Sequence, residues 1–295
     1  MPGQRYRVVH RTEYVYGATM LDGYSVACVL ARPTPSQTVG SSEVVTYPES
    51  DEYDERHDVF GNRIVQFGLH RPHDGLVVEA ITEARIWAQE LPRVDVAWER
   101  ASAMVAGMRG PTALDVAPFV APSRFVTTDA NRLDLFSLAT SSFTPGRGIV
   151  DATTALCSDI FGSFIFDPSF TEVSSPLDVV LGDRRGVCQD FAHLAVGALR
   201  SIGLAARYVS GYIDTDPPPG EPKTVGADAS HAWCSVWVPD HGWLDFDPTN
   251  GVVAPSRHVT IGWGRDYADV APVRGVVVGP SSPQSLSVSV DVARI

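Results

Sequence analysis

Three side chains that lie far apart in the chain have types suited to thiol chemistry. Cys188 sits in the run GVCQDFAHLAVGAL, Gly186 to Leu199, after a Gly-Val pair and before a helical pattern. A thiol at such a place serves as packing, as a metal ligand or as a nucleophile. At the start of a helix, unpaired backbone N–H groups and the positive dipole end face the sulfur, and both favour thiolate over thiol. The same N–H groups are candidate donors to an oxyanion. Asp190 falls in the same turn and opposes a thiolate unless its carboxylate turns away.

A thiol nucleophile needs a base. His193 is five residues on, roughly 140° around the helix from Cys188, so it reads as a packed or surface histidine. His231 is the better base, because it opens the strand-like run HAWCSVWV. An imidazole in turn needs an acceptor on its second nitrogen. The next run, WLDFDPT, offers Asp245 and Asp247. If Val238 pairs with Gly242, Asp247 falls opposite Trp233, one diagonal from His231 on the same face. Asp245 then falls opposite Ser235, roughly 13 Å along the sheet from His231. That register selects Asp247, and a slip by one residue would turn it to the other face.

The elements that must hold these groups follow from local patterns. The cysteine helix is predicted over about Cys188–Ile202, with Gly203 as its C′ residue. The runs ARYVSGYI, ASHAWCSVWV and GWLDFDP read as strands, and QSLSVSVDVARI as a last one. Upstream, DANRLDLFSLAT, RGIVDATTALCSDIFGSF and PLDVVLGDRRG have helical spacing. Helices followed by antiparallel strands make this half α+β. From Arg5 to about Ile86 the chain is instead β-rich, with turn formers such as DVFGN between strands. The expected division is an all-β domain with its linker over 1–110 and a second domain over 111–295. In the linker, Arg93 to Gly110 reads as a short helix or an irregular connection, and PTALDVAPFVAPSRFV as a connection.

Composition removes several classes of function. The net charge of −12 in 295 residues has the wrong sign for a nucleic-acid footprint or an anionic membrane surface. No stretch approaches the ~18 apolar residues of a spanning helix, and the N-terminal run lacks a signal-type apolar segment. The four cysteines, Cys28, Cys157, Cys188 and Cys234, are widely spaced without a CxxC, so neither a disulfide framework nor a zinc site is expected. The expected home is a reducing cytoplasm, with Cys28, Cys157 and Cys234 expected as buried small hydrophobes.

The ordered set GVCQDFA, ARYVSGY, HAW and W-x-x-x-DPT resembles the transglutaminase-like superfamily in its bacterial form. YRVVHRTEYVYG and HDVFGNRIVQF are similar to the β-rich N-terminal domain of bacterial members, and GRDYADVAPVRG to a segment after the Asp strand. The resemblance implies a papain-like transglutaminase core, a Cys-bearing helix packed on an antiparallel sheet, preceded by an all-β N-terminal domain. It maps a Cys–His–Asp triad onto Cys188, His231 and Asp247. The implied activity is thiol-dependent acyl transfer on an amide, as transamidation or as peptide or amide hydrolysis. The expected partners are a peptide or protein amide and, for transamidation, an amine acceptor. No cofactor or metal is expected: unlike the calcium-dependent animal enzymes, this chain has only DTDPPPGEP, Asp214 to Pro222, acidic but proline-stiffened. Gln189, beside the nucleophile, is a candidate to position the acyl oxygen, by analogy with papain-like enzymes. Tyr208 and Tyr212 are candidates for the cleft wall, and Trp233 for a substrate groove. The alternative is a non-catalytic interaction module that keeps the fold; retention of all three residue types argues against it.

Overall fold

The computed structural model describes residues 3–127, 131–170, 175–215, 230–254 and 257–295. Six strands come first: β1 Gln4–Met20, β2 Asp22–Ala27, β3 Gln37–Tyr47, β4 Glu52–His57, β5 Arg63–Leu69 and β6 His73–Ile86. Burial alternates along β1 and β6, as a half-covered antiparallel sheet requires. The helices α1 Trp98–Gly107, α2 Pro111–Val116, α3 Arg132–Ser142 and α4 Ile149–Ser163 follow. The PTALDV segment, read above as connection, is thus the short helix α2 with Pro111 in its first turn, where a missing N–H costs nothing. Next come β7 Ile165–Phe166, α5 Leu177–Asp183, β8 Arg185–Gly186 and α6 Cys188–Ser201. The remaining strands are β9 Ala206–Ile213, β10 Ser230–Val238, β11 Gly242–Asp247, β12 Val252–Val253, β13 His258–Gly264, β14 Val273–Val278 and β15 Gln284–Arg294.

The central sheet has the order β12-β11-β10-β9-β13, and α6 packs against β9 and β10. Two other sheets have the orders β15-β1-β6-β3 and β14-β2-β5-β4. The tail, expected with the second half of the chain, therefore returns to the first. β15 pairs along β1 from Tyr6↔Arg294 to Tyr16↔Gln284, and β14 pairs with β2. Edge strands leave backbone groups unpaired, and the returning tail pairs them. The β-rich region is thus assembled from both ends of the chain, which a division at residue 110 does not capture.

Side-chain amides join this region to the central sheet. Gln37 accepts the Thr260 N–H at 2.8 Å and donates to the Thr260 carbonyl at 2.7 Å. Asn62 does the same at Trp263, at 2.9 and 2.7 Å, and Gln89 at Asp245, at 3.0 and 2.6 Å. Each carboxamide pairs with one residue's N–H and carbonyl as a neighbouring strand would.

Candidate active site

The helix start is built by a glycine and an aspartate. The Asp190 Oδ2 accepts the Val187 N–H at 2.8 Å, so the carboxylate is turned back over the entry to α6. A Cβ on Gly186 would come within 2.7 Å of that oxygen, which accounts for glycine there. Gly203, with φ of 80°, closes the other end as expected. Cys188 opens α6, half-buried, and its thiol donates to the Ser230 carbonyl at 3.9 Å, at the beginning of β10. Cys28, Cys157 and Cys234 are all buried.

The hairpin register is the one that selects Asp247: Val238 pairs with Gly242 and Ser235 with Asp245. The His231 Nε2 donates to the Asp247 Oδ2 at 2.8 Å, with both groups buried. This leaves Nδ1 as the nitrogen available to the thiol. Burial opposes a charged His231, but hydrogen bonds to Asp247 and Cys188, and their charge, outweigh it and push the imidazole up to about 10. For Asp247, burial is likewise outweighed by hydrogen bonds and charge from His231 and His258, which hold the carboxyl well below the usual carboxylate range. His193, by contrast, is buried and accepts the Tyr267 N–H at 3.1 Å while stacking on Phe125. Burial lowers it to about 4, which keeps it neutral and fits a packing role.

His258 is the residue that sequence reasoning missed. Its Nε2 donates to the same Asp247 Oδ2 at 2.9 Å. That oxygen also accepts from Asn250 Nδ2 at 2.6 Å, while Oδ1 accepts the Thr249 and Asn250 N–H groups at 2.9 and 3.2 Å. No motif links His258 to the hairpin, because β13 lies on the far side of β9. The ligand atoms of His231, Asp247 and His258 lie within 4.8 Å of one another, a cluster able to hold a metal ion. Their direct N···O separations of 2.8 and 2.9 Å are hydrogen-bond distances.

The expected substrate-binding residues divide. Gln189 stands beside Cys188, half-buried in the first turn of α6. Tyr208, Tyr212 and Trp233 are buried at 2, 3 and 0 % exposure, so none of them walls an open cleft. Tyr208 packs on His193 within electrostatic reach of Cys188, and Tyr212 packs on His10 of β1. Trp233 lies edge-on to His258, at 4.9 Å between ring centroids, and tilted against His231. Strands β9 and β10 are buried almost throughout, so alternation along them marks no solvent side. The stretch Asp214 to Pro222 lies outside the described residues from position 216 on. Among the described residues, no helix is long and apolar enough to cross a membrane.

A cysteine at a helix start, a histidine on the adjacent strand and a carboxylate on the next define a papain-like arrangement. Residues 139–248 match the model of the transglutaminase-like superfamily, and residues 6–85 that of the bacterial transglutaminase-like N-terminal region. An uncharacterized protein of Mycobacterium tuberculosis (strain ATCC 25618 / H37Rv) is 37% identical over 297 residues, covering 98% of this chain and 92% of the relative. The chain belongs to the transglutaminase-like superfamily. A protein-glutamine gamma-glutamyltransferase of Pseudomonas aeruginosa is 34% identical over 96 residues, 32% of this chain and 14% of that protein. The solved structure of a Cytophaga hutchinsonii protein described as a candidate cysteine protease shares the fold, with a TM-score of 0.74 at 21% identity, covering 100% of this chain and 92% of that one.

Proposed function

We propose that the protein is a thiol acyltransferase or amidase acting through Cys188, His231 and Asp247. The observation that carries this reading is the placement of the half-buried Cys188 thiol 3.9 Å from the Ser230 carbonyl, next in the chain to His231, whose ring bonds a fully buried carboxylate. The Cys188 thiolate attacks an amide carbonyl, and the charged His231 gives its proton to the leaving amine. A thioester remains on the sulfur. His231 then takes a proton from water or from a second amine, which attacks the thioester and releases the thiolate. Asp247 stays ionised throughout, fixing the imidazole tautomer and stabilising its charged form. The donor is the amide of a peptide or protein, and the acceptor decides between hydrolysis and transamidation.

Acylation tests the assignment. With p-nitrophenyl acetate, a nitrophenol burst is expected, with one acetyl group on Cys188 by peptide mass analysis. Added primary amine should divert the acetyl group to an amide if transamidation operates, and leave acetate if it does not. Iodoacetamide at pH 7 should label Cys188 at least about tenfold faster than the three buried thiols, and His231→Ala should slow that labelling. Equal labelling of all four cysteines in the folded protein, or no burst, removes the case for an activated nucleophile.

His258 acts here as a positioning residue, through Asp247. His258→Asn removes one charge-assisted hydrogen bond from Oδ2, and is expected to lower kcat by about tenfold to a hundredfold with little change in KM. A purely structural role would lower the melting temperature without this split between kcat and KM.

A further inference from the structure

Two arginines are buried in or beside the central sheet, and they are treated differently. Arg200 gives its guanidinium to the carbonyls of Phe119, Ala121, Ala206 and Arg265 and to the Ser123 hydroxyl. Arg207, on β9, has no such set. It is 7 % exposed, and its Nε is buried without a hydrogen-bond partner. Asp245 acts on it only through space. The group is held instead by aromatic faces, with its Cζ 3.6 Å from the Trp263 ring centroid and 4.4 Å from that of Trp243. Arg32, from the β-rich region, lies 3.3 Å from the same Trp263 ring. Two cations this close to one ring centroid must occupy its opposite faces, so the four groups form a stack. In the register, Arg207 pairs with Ser235, whose Oγ is also buried without a partner.

This stack lines a cavity of about 1550 Å³ between the β-rich region and the central sheet, bordered also by Phe60 and Asp245. The cavity is separate from the triad. Ser235 is four residues along β10 from His231, roughly 13 Å at the strand rise. Val209, Trp233, Ala254 and Trp263 cluster in the layer between. A desolvated cation with an unpaired donor is costly unless an anion meets it. With its faces covered by indoles, the guanidinium offers only its in-plane edge, which matches a planar carboxylate in a bidentate pair. The acidic Glu90, Asp115 and Asp245 on the lining disfavour a dianion such as a phosphate. The space exceeds the ~300–1,000 Å³ of ordinary small-molecule pockets, leaving room for an apolar body of peptide size.

We infer that this cavity is a second binding site, for an organic carboxylate with an apolar or aromatic body, held edge-on by Arg207 between Trp243 and Trp263. An N-acyl amino acid and the C-terminus of a short peptide share this chemistry. The test titrates the full chain with N-acetyl-phenylalanine, with N-acetyl-Ala-Ala-Phe, and with the carboxamide of each. Intrinsic tryptophan fluorescence and calorimetry report binding. Both acids are expected to bind and change the fluorescence, with the carboxamides at least about tenfold weaker. The tighter of the two acids tells a small metabolite-like ligand from a peptide terminus. Arg207→Lys, which keeps the charge and loses the fork, should weaken the acids about tenfold. Should that variant fail to fold, Asp245→Asn supplies an independent reading: removing the nearby negative charge should tighten acid binding by about threefold and leave the carboxamides unchanged. Cys188→Ala should bind the acids as the native chain does. Absence of acid binding up to about 10 mM (Kd weaker than the millimolar class) overturns the inference. So does equal affinity for acid and carboxamide, an unaltered Kd in Arg207→Lys, or loss of binding in Cys188→Ala.

Discussion

Asp247→Asn is expected to lower turnover by about four orders of magnitude, the scale of the equivalent change in serine proteases. Every partner of this carboxylate is a donor. Oδ2 receives His231, His258 and Asn250 Nδ2, and Oδ1 receives the Thr249 and Asn250 backbone N–H groups. An asparagine must point its NH2 at one of these two sets, so either orientation sets donor against donor. If the NH2 faces His231, that imidazole must flip or change tautomer, and it loses the charge that stabilises its protonated form. Asp245→Asn is the internal control. The Asp245 backbone is fixed by Gln89, and its side chain is in register with Ser235 rather than His231. Turnover in that variant is expected to stay within about tenfold of native, since the carboxylate is roughly 13 Å along the sheet from the imidazole. Circular dichroism and melting curves on both variants separate lost chemistry from lost fold. A large defect in Asp245→Asn beside near-native Asp247→Asn would overturn the assignment.

The second large effect is on stability. Gly211 pairs with His231 on one side and Thr260 on the other. A Cβ there would lie 2.1 Å from the Val259 carbonyl and 2.6 Å from the Trp233 ring. The first of these is backbone and cannot swing aside. Trp233 can move only by displacing the imidazoles of His231 and His258 that pack against it. Gly211→Ala is therefore expected to cost about 3 kcal/mol or more, at the upper end of overpacking changes. The melting temperature should fall by roughly 5–10 °C, and turnover should fall with it. Gly162→Ala is the matched control: it lies in α4 with open space around its Cβ, and alanine there should be neutral or stabilising by up to ~1 kcal/mol. Equal melting temperatures for Gly211→Ala and the native chain would show that the sheet yields where the contacts say it cannot.

Much of the site is written in short-range patterns. The start of α6 is legible because a Gly-Val pair, a cysteine and an acidic residue precede a run of apolar helix formers, and because Gly203 ends it. The choice of Asp247 over Asp245 is legible because strand residues alternate faces: one pairing, Val238 with Gly242, fixes every other pairing in the hairpin. The packing roles of Cys28, Cys157 and Cys234 follow from their apolar neighbours in the chain, and the helical period turns His193 away from Cys188. All of these involve groups on one element or on two elements joined by a tight turn.

What the sequence alone determined, then, is which residues are candidates for the chemistry and how the β10–β11 hairpin aligns them. Tertiary structure decided the rest, wherever contacts join elements remote in the chain. His258 reaches Asp247 only because β13 joins the sheet beyond β9, and no local period encodes strand order. Tyr208 and Tyr212 are cleft candidates because their strand precedes the histidine strand, and Trp233 as an aromatic beside His231, yet all three are buried because the central sheet is covered on both sides. The return of β14 and β15 to the first half of the chain depends on which edges were left unpaired there. The sandwiching of Arg207 between Trp243 and Trp263 likewise brings together three separate strands. A long-range pairing adds the entropy of closing a large loop to whatever its contacts return. Its partner is selected by the whole set of exposed edges and faces rather than by neighbouring residues.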